Sequence, residues 1–168
     1  MNQTDIHPHF DTALAALDAG DLDTLGTLLD EHPNLATARD DGNATLLIRL
    51  VDWPGKRPHA AESARLLLEA GADVDARRAD DQGTPLSGTA CTNEIDTMAV
   101  LLDHEADLYA PCGFTPGTVL DFIKRLAENI AHRHEFLAMA DLVSRHTVQP
   151  WDLKDFVLRD PDGNRLEM

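Results

Sequence analysis

The sequence predicts an all-α solenoid of about four helix-turn-helix units, followed by a short C-terminal β-hairpin. Three observations carry that prediction. Segments recur 34 residues apart: Leu67-Leu68 returns as Leu101-Leu102, and Gly83-Thr84-Pro85-Leu86 returns as Gly117-Thr118-Val119-Leu120. A fixed period of this size is the signature of stacked repeats. Within a unit the apolar residues follow helical spacing, as at Ile95, Met98, Leu101 and Leu102, one face of a 3.6-residue period. Hydrophobic residues make up 43% of the chain but aromatics only 5%, so the core is built of Leu, Ala, Val and Ile. That composition favours helices over an aromatic-rich sandwich.

Residues 1–9 read as an N-terminal tail, and the repeat region spans 10–146. The first unit, 10–39, contains "GDLDTLGTLL" (Gly20 to Leu29), which matches "NEIDTMAVLL" (Asn93 to Leu102) nearly position by position. In the second unit, 40–79, "ATLL" (Ala44 to Leu47) lies 39 residues before "GTPL". The five extra residues sit in "DWPGKRP" (Asp52 to Pro58), where two prolines and a glycine make a constrained loop. Gly71 follows Leu67-Leu68 where a helix would end in a left-handed residue. "ADVDARRADDQG" then forms a polar hairpin-like connection. In the third unit, 80–112, Thr84 caps a helix whose first position Pro85 fits. The fourth, 113–146, carries about seven extra residues, with "AENIAHRH" lengthening a helix. In 147–168, "KDFVLRDPDGNRLEM" reads as strand, turn, strand.

The combination "LLLEAGADVDAR…DDQGTPL" resembles the ankyrin-repeat family over residues 10–146, most specifically in the middle two units. The resemblance implies stacked helix pairs that bind a partner protein through a concave face and loop tips. Where the family often has His after Thr-Pro-Leu, this chain has Ile48, Ser87 and Asp121, so the hydrogen bonds of that His are missing. Glu105 and His146 stand at the glycine position that Gly71 fills, so there the left-handed cap is strained or the turn differs. By alignment, Arg49, Gly88, Cys91 and Phe122 are exposed on inner helices. Arg39, Asp41, Arg78, Asp80, Asp81 and Phe114 stand at loop tips.

The residues expected to meet a partner are Arg39, Asp41, Arg49, Trp53, Lys56, Arg57, Arg78, Asp80 and Phe114. Aromatic and arginine side chains dominate interface energetics. Two of these assignments have bland alternatives. Trp53 either grips a partner with Lys56 and Arg57 beside it or plugs a gap between the second and third units. Phe114 either anchors a partner or folds back over the last repeat.

A formal net charge of −16 argues against nucleic acid, whose phosphates need a cationic footprint. The start "MNQTDIHPHFD" lacks a basic and apolar leader pattern, and no apolar run approaches membrane-spanning length, so the cytoplasm is the expected compartment. No cofactor and no metal are expected. His7 and His9 flank a proline, and His132 and His134 point to opposite sides of a helix. Cys91 and Cys112 make no disulfide framework; as a candidate nucleophile Cys91 lacks a neighbouring base, and the expectation is a buried, inert thiol. The tail resembles the last hairpin of the glyoxalase, or vicinal oxygen chelate, superfamily, in which the glutamate matching Glu167 can ligate a metal. The alternative function is therefore a metal-dependent lyase- or dioxygenase-like activity completed in an oligomer or by a partner domain. A third reading has the tail hairpin pairing two copies of the chain by its edge.

Overall fold

Local sequence chemistry starts and stops each helix. The computed structural model describes residues 6–128 and 133–146. Among them are α1 (Phe10–Ala19), α2 (Leu22–Glu31), α3 (Leu46–Leu50), α4 (Ala60–Glu69), α5 (Pro85–Thr92), α6 (Ile95–Asp103), α7 (Val119–Glu128) and α8 (Arg133–His146), with a 3-10 helix at Pro33–Thr37. Asp21 opens α2 by accepting from the Thr24 amide at 3.0 Å. Thr45 and Thr84 open α3 and α5 in the same manner, each satisfying a donor the first helical turn leaves orphaned. Pro85 occupies the first turn of α5, where its missing N–H is not needed. The segment 147–168 expected to form strand, turn, strand, with Glu167, and His132 in the stretch expected to lengthen a helix lie outside the described residues.

Two residues that replace the expected histidines serve the caps instead. The Ser87 hydroxyl accepts from the Thr84 amide at 3.0 Å, a reciprocal capping box. Asp121 does the same ahead of α7: its carboxylate accepts from the Thr118 amide at 3.0 Å and the Thr118 hydroxyl at 2.9 Å, and its amide donates back at 3.1 Å. These donors, the amide first, hold the Asp121 carboxyl below its usual range. A depressed folded-state pKa adds stability that is complete above the unfolded value, about 3.9, and lost as pH falls through the folded value. The difference in urea midpoint between wild type and Asp121→Asn is therefore expected to shrink from pH 7 to pH 3. A constant difference would mean that the charge is not what the cap uses.

Gly71 follows α4 at φ 92, and Glu105, 34 residues on, follows α6 at φ 64. The left-handed cap is thus kept in the third unit by a residue with a Cβ, which costs about 1 kcal/mol.

The helices pair as α1–α2, α3–α4, α5–α6 and α7–α8, and the pairs stack in two rows. One row is α1, α3, α5, α7; the other is α2, α4, α6, α8, each member packing on the next. A single apolar cluster runs from Phe10 to Val143 through Leu47, Leu67, Leu101 and Ile123. No pair could bury its apolar face alone, so each depends on its neighbours. Loops at one end of the rows form three fingers, each closed by a backbone bond of 3.0 Å: Asp40 N to Ala44 O, Arg78 N to Gly83 O, and Cys112 N to Gly117 O. Extended pairing among the described residues is limited to isolated bridges at Arg39–Thr45 and Pro111–Thr118. None of the described helices is long and apolar enough to cross a membrane.

Among the described residues two buried side-chain atoms have no partner, Asn93 Oδ1 and the Ser63 hydroxyl on α4, the latter in a residue only 1% exposed. Ser63→Ala removes that orphan and favours the helix. It is expected to stabilise the protein by about 1 kcal/mol, read as a rise in Tm of about 2–4 °C. A fall in Tm would show that the hydroxyl is satisfied in solution.

Candidate partner-binding face

The face is organised by the loop 52–58, which interrupts the repeat after the single-turn helix α3. Both ends of this loop are clamped. On one side the Arg57 guanidinium donates to Asp18 at 2.6 Å, and Pro58 packs so closely on Gly20 that a Cβ there would lie 2.6 Å from Pro58 Cβ. On the other side Gly55 sits against Thr92 and Glu94, and the Lys56 amide donates to Glu94 Oε1 at 2.9 Å. Glu94 is 9% exposed and also accepts from the Thr92 hydroxyl at 2.8 Å, so the contact is a satisfied carboxylate and not a stray ion pair. Arg57 further donates to the carbonyls of Leu50 at 3.0 Å and Asp52 at 3.3 Å. A cation thereby caps the C-terminal end of α3. The loop is wedged between the α1–α2 turn and the α5–α6 turn.

Trp53 projects from this rigid loop and is 78% exposed. It therefore plugs no gap. Phe114, on the third finger, is 44% exposed while its ring meets Phe122 edge-on at 5.1 Å; it leans back on the last unit and still faces solvent. Between them lies a cleft of about 160 Å³ whose lining includes Ile48, Val51, Gly88, Cys91, Arg78 and Asp81. Gly88 is required there, because a Cβ would stand 2.7 Å from Val51 Cγ2, and so α3 and α5 come close enough to floor the cleft. Cys91 is exposed, which corrects the expectation of a buried thiol and agrees with its alignment position. Partial burial still raises its pKa, so it is not an activated nucleophile. Cys112 is the buried cysteine.

The arginines expected at a partner surface are bonded within the chain. Arg49 Nε donates to Asp40 at 2.6 Å, and its Nη1 lies 3.3 Å from Asp52. Arg78 donates to Asp52 at 2.7 Å and to Asp80 at 3.2 Å, with Asp81 at 3.7 Å. Arg39 donates to the carbonyls of Asn43 at 2.6 Å and Arg77 at 3.1 Å, tying the first finger to the second. The bonds to Asp52 and Asp80 hold Arg78 charged more firmly than usual, and Arg78 in turn lowers the Asp80 pKa. Between Arg78 and Asp80 the acid reaches solvent more freely: Asp80 is 68% exposed where Arg78 is 32%, and Asp41 is exposed. Lys56 is exposed.

Three features were not visible in sequence. Asp52 and Asp81 join the cleft through the chain's return one repeat later. A second, shallower hollow of about 740 Å³ lies between α4 and α6, but Glu62, Glu94 and Asp96 alternate there with Lys56, Arg57 and Arg65. It has no single sign of charge. The third is His32, which stacks on His9 at 4.1 Å and meets His7 at 5.6 Å. Burial first, then these two imidazoles, lower the His7 pKa. Among the described residues no group of three or more His, Cys, Asp or Glu is arranged to hold a metal ion.

No family model matches the chain. It is similar to a protein of fowlpox virus (strain NVSL) that carries the provisional name ankyrin repeat protein FPV024, with 23% identity over 110 residues. The match covers 64% of this chain and 18% of that protein, so this chain spans less than a fifth of its relative's length.

Proposed function

We propose that this chain is an ankyrin-repeat protein without catalytic activity of its own, whose concave face and loop tips bind a partner protein. The similarity to a protein named for ankyrin repeats supports the family, as do two rows of stacked helices with fingers at one end. The observation that carries the function is Trp53: a large apolar ring 78% exposed on a loop held from both sides. Folding gains little from a ring left in water. Binding gains twice, from the area such a ring buries and from the ordering cost its loop has already met. A cleft of about 160 Å³ is smaller than the roughly 300–1,000 Å³ of small-molecule sites. It suits one side chain of a larger partner.

The test uses the full chain as bait, with bound proteins identified by mass spectrometry and affinities then measured by calorimetry. Trp53→Ala is expected to weaken the partner by about 2 kcal/mol or more, roughly 30-fold, with an unchanged urea midpoint. Phe114→Ala is expected to cost about 1 kcal/mol, because Phe122 already covers part of its ring. Partners retained equally by both variants would remove this face from the reading.

A further inference from the structure

Resting on that reading, we infer that the cleft between Trp53 and Phe114 receives an arginine or lysine side chain from an extended, otherwise apolar segment of the partner. The charges that line and rim this cleft are sorted by direction. Arg49 and Arg78 are committed to Asp40, Asp52, Asp80 and Asp81 at 2.6–3.7 Å, so an incoming anion would have to displace a carboxylate from each. An incoming cation displaces nothing. It meets Asp80, 68% exposed, and Asp81, 30% exposed, on a chain whose net charge is −16. Attraction of this kind also speeds encounter and sets register.

Aromatic chemistry points the same way. Two rings, Trp53 and Phe114, line the cleft with Asp52 and Asp81. A cation over an indole face is attracted by the ring quadrupole, most strongly when water is excluded. The volume selects the form of the ligand. A cleft of about 160 Å³ takes one long side chain and is too small for a helix. The apolar floor of Ile48, Val51 and Gly88 would cover the methylene stem, while the charged head stays at the acidic rim.

The experiment selects a random twelve-residue peptide library on the full chain and titrates the enriched synthetic peptides by calorimetry. Enriched peptides are expected to share an Arg or Lys between apolar residues. They should bind at least tenfold more weakly to Trp53→Ala and to Asp81→Asn, and lose affinity as salt rises. Asn at 81 keeps the oxygen that accepts from the Gly83 amide at 2.8 Å, and Asp80→Asn is a second variant whose carboxylate makes no bond the finger needs beyond Arg78 and the Asp81 amide. Neutral or acidic peptides that bind through Trp53 would overturn the cation assignment and leave the partner-binding face standing. Peptides indifferent to Trp53→Ala would overturn both. A mass that doubles with concentration in light scattering, and reverts with Trp53→Ala, would put a second copy of this chain in the cleft and overturn the assignment of a foreign segment.

Discussion

Replacing Gly113 by valine is expected to lower stability by about 3 kcal/mol, from left-handed strain of about 1–2 kcal/mol and overpacking of about 1–3 kcal/mol. Gly113 has φ 90, and a Cβ there would stand 2.7 Å from both Cα and N of Gly83 and 3.0 Å from the Asp81 carbonyl. These are backbone atoms of the second finger, so no side-chain rotation relieves the contact; the two fingers must separate. The control is Gly26→Ala in α2, where a Cβ would meet nothing within 4 Å and the helix gains about 1 kcal/mol from the better former. Urea titrations of both variants should move the midpoint in opposite directions. A Gly113→Val midpoint within error of wild type would mean that the second and third fingers do not touch, and the cleft they border would lose its upper wall.

The fold was legible where physics is local. Thr84-Pro85 announces a helix start through donors and dihedrals that lie within one turn, and the Leu67 and Leu101 pairs announce a buried face by their spacing. Both residues are fully buried. The left-handed turn at Gly71 was also local. Glu105 was harder, because it takes positive φ with a side chain that has no preference of its own for that region, whereas Asn93, also at positive φ, is a residue that favours it. Ser87 and Asp121 look like lost histidines in an alignment and prove to be capping residues; the Ser and Asp hydrogen-bonding chemistry was the available signal.

The site was legible only as residue types. Trp53 could be a plug or an anchor until its 78% exposure was known, since nothing along the chain says which atoms return beside it. Arg57 and Lys56 looked like free cations in an acidic protein. The Arg57 guanidinium meets Asp18, 39 residues away, and the Lys56 backbone amide, not its ammonium, meets Glu94, 38 residues away, one repeat in either direction; contacts at that separation exist only once the repeats are stacked. Such pairing also explains why the arginines of this face turn their charge inward. Counting cations along the chain counts none of the carboxylates that neighbouring units bring to them.

Arg57→Ala is accordingly expected to do two things at once. Its guanidinium is 17% exposed and bonded to one carboxylate and two carbonyls. Asp18 is 56% exposed, so that ion pair itself adds little, and the larger loss comes from the Leu50 carbonyl at the end of α3 and the Asp52 carbonyl beyond it, left without a charged donor. The sum is about 2 kcal/mol, seen as a lower urea midpoint. The second effect is on Trp53, whose loop would keep its Gly55 and Lys56 contacts with Glu94 and Thr92 and, toward the α1–α2 turn, only the packing of Pro58 on Gly20. In a Trp151→Phe background, which leaves one tryptophan, the fluorescence anisotropy of Trp53 should fall and acrylamide quenching should rise. Partner affinity should drop several-fold although Arg57 itself faces away from the cleft, because ordering of the loop would then be charged to binding. Arg57→Lys keeps the charge but not the fork that reaches both sides, and should fall between the two. Should Arg57→Ala lose stability while Trp53 anisotropy and affinity stay at wild-type values, the clamp supports the fold alone. The exposed ring would then owe nothing to being held in advance.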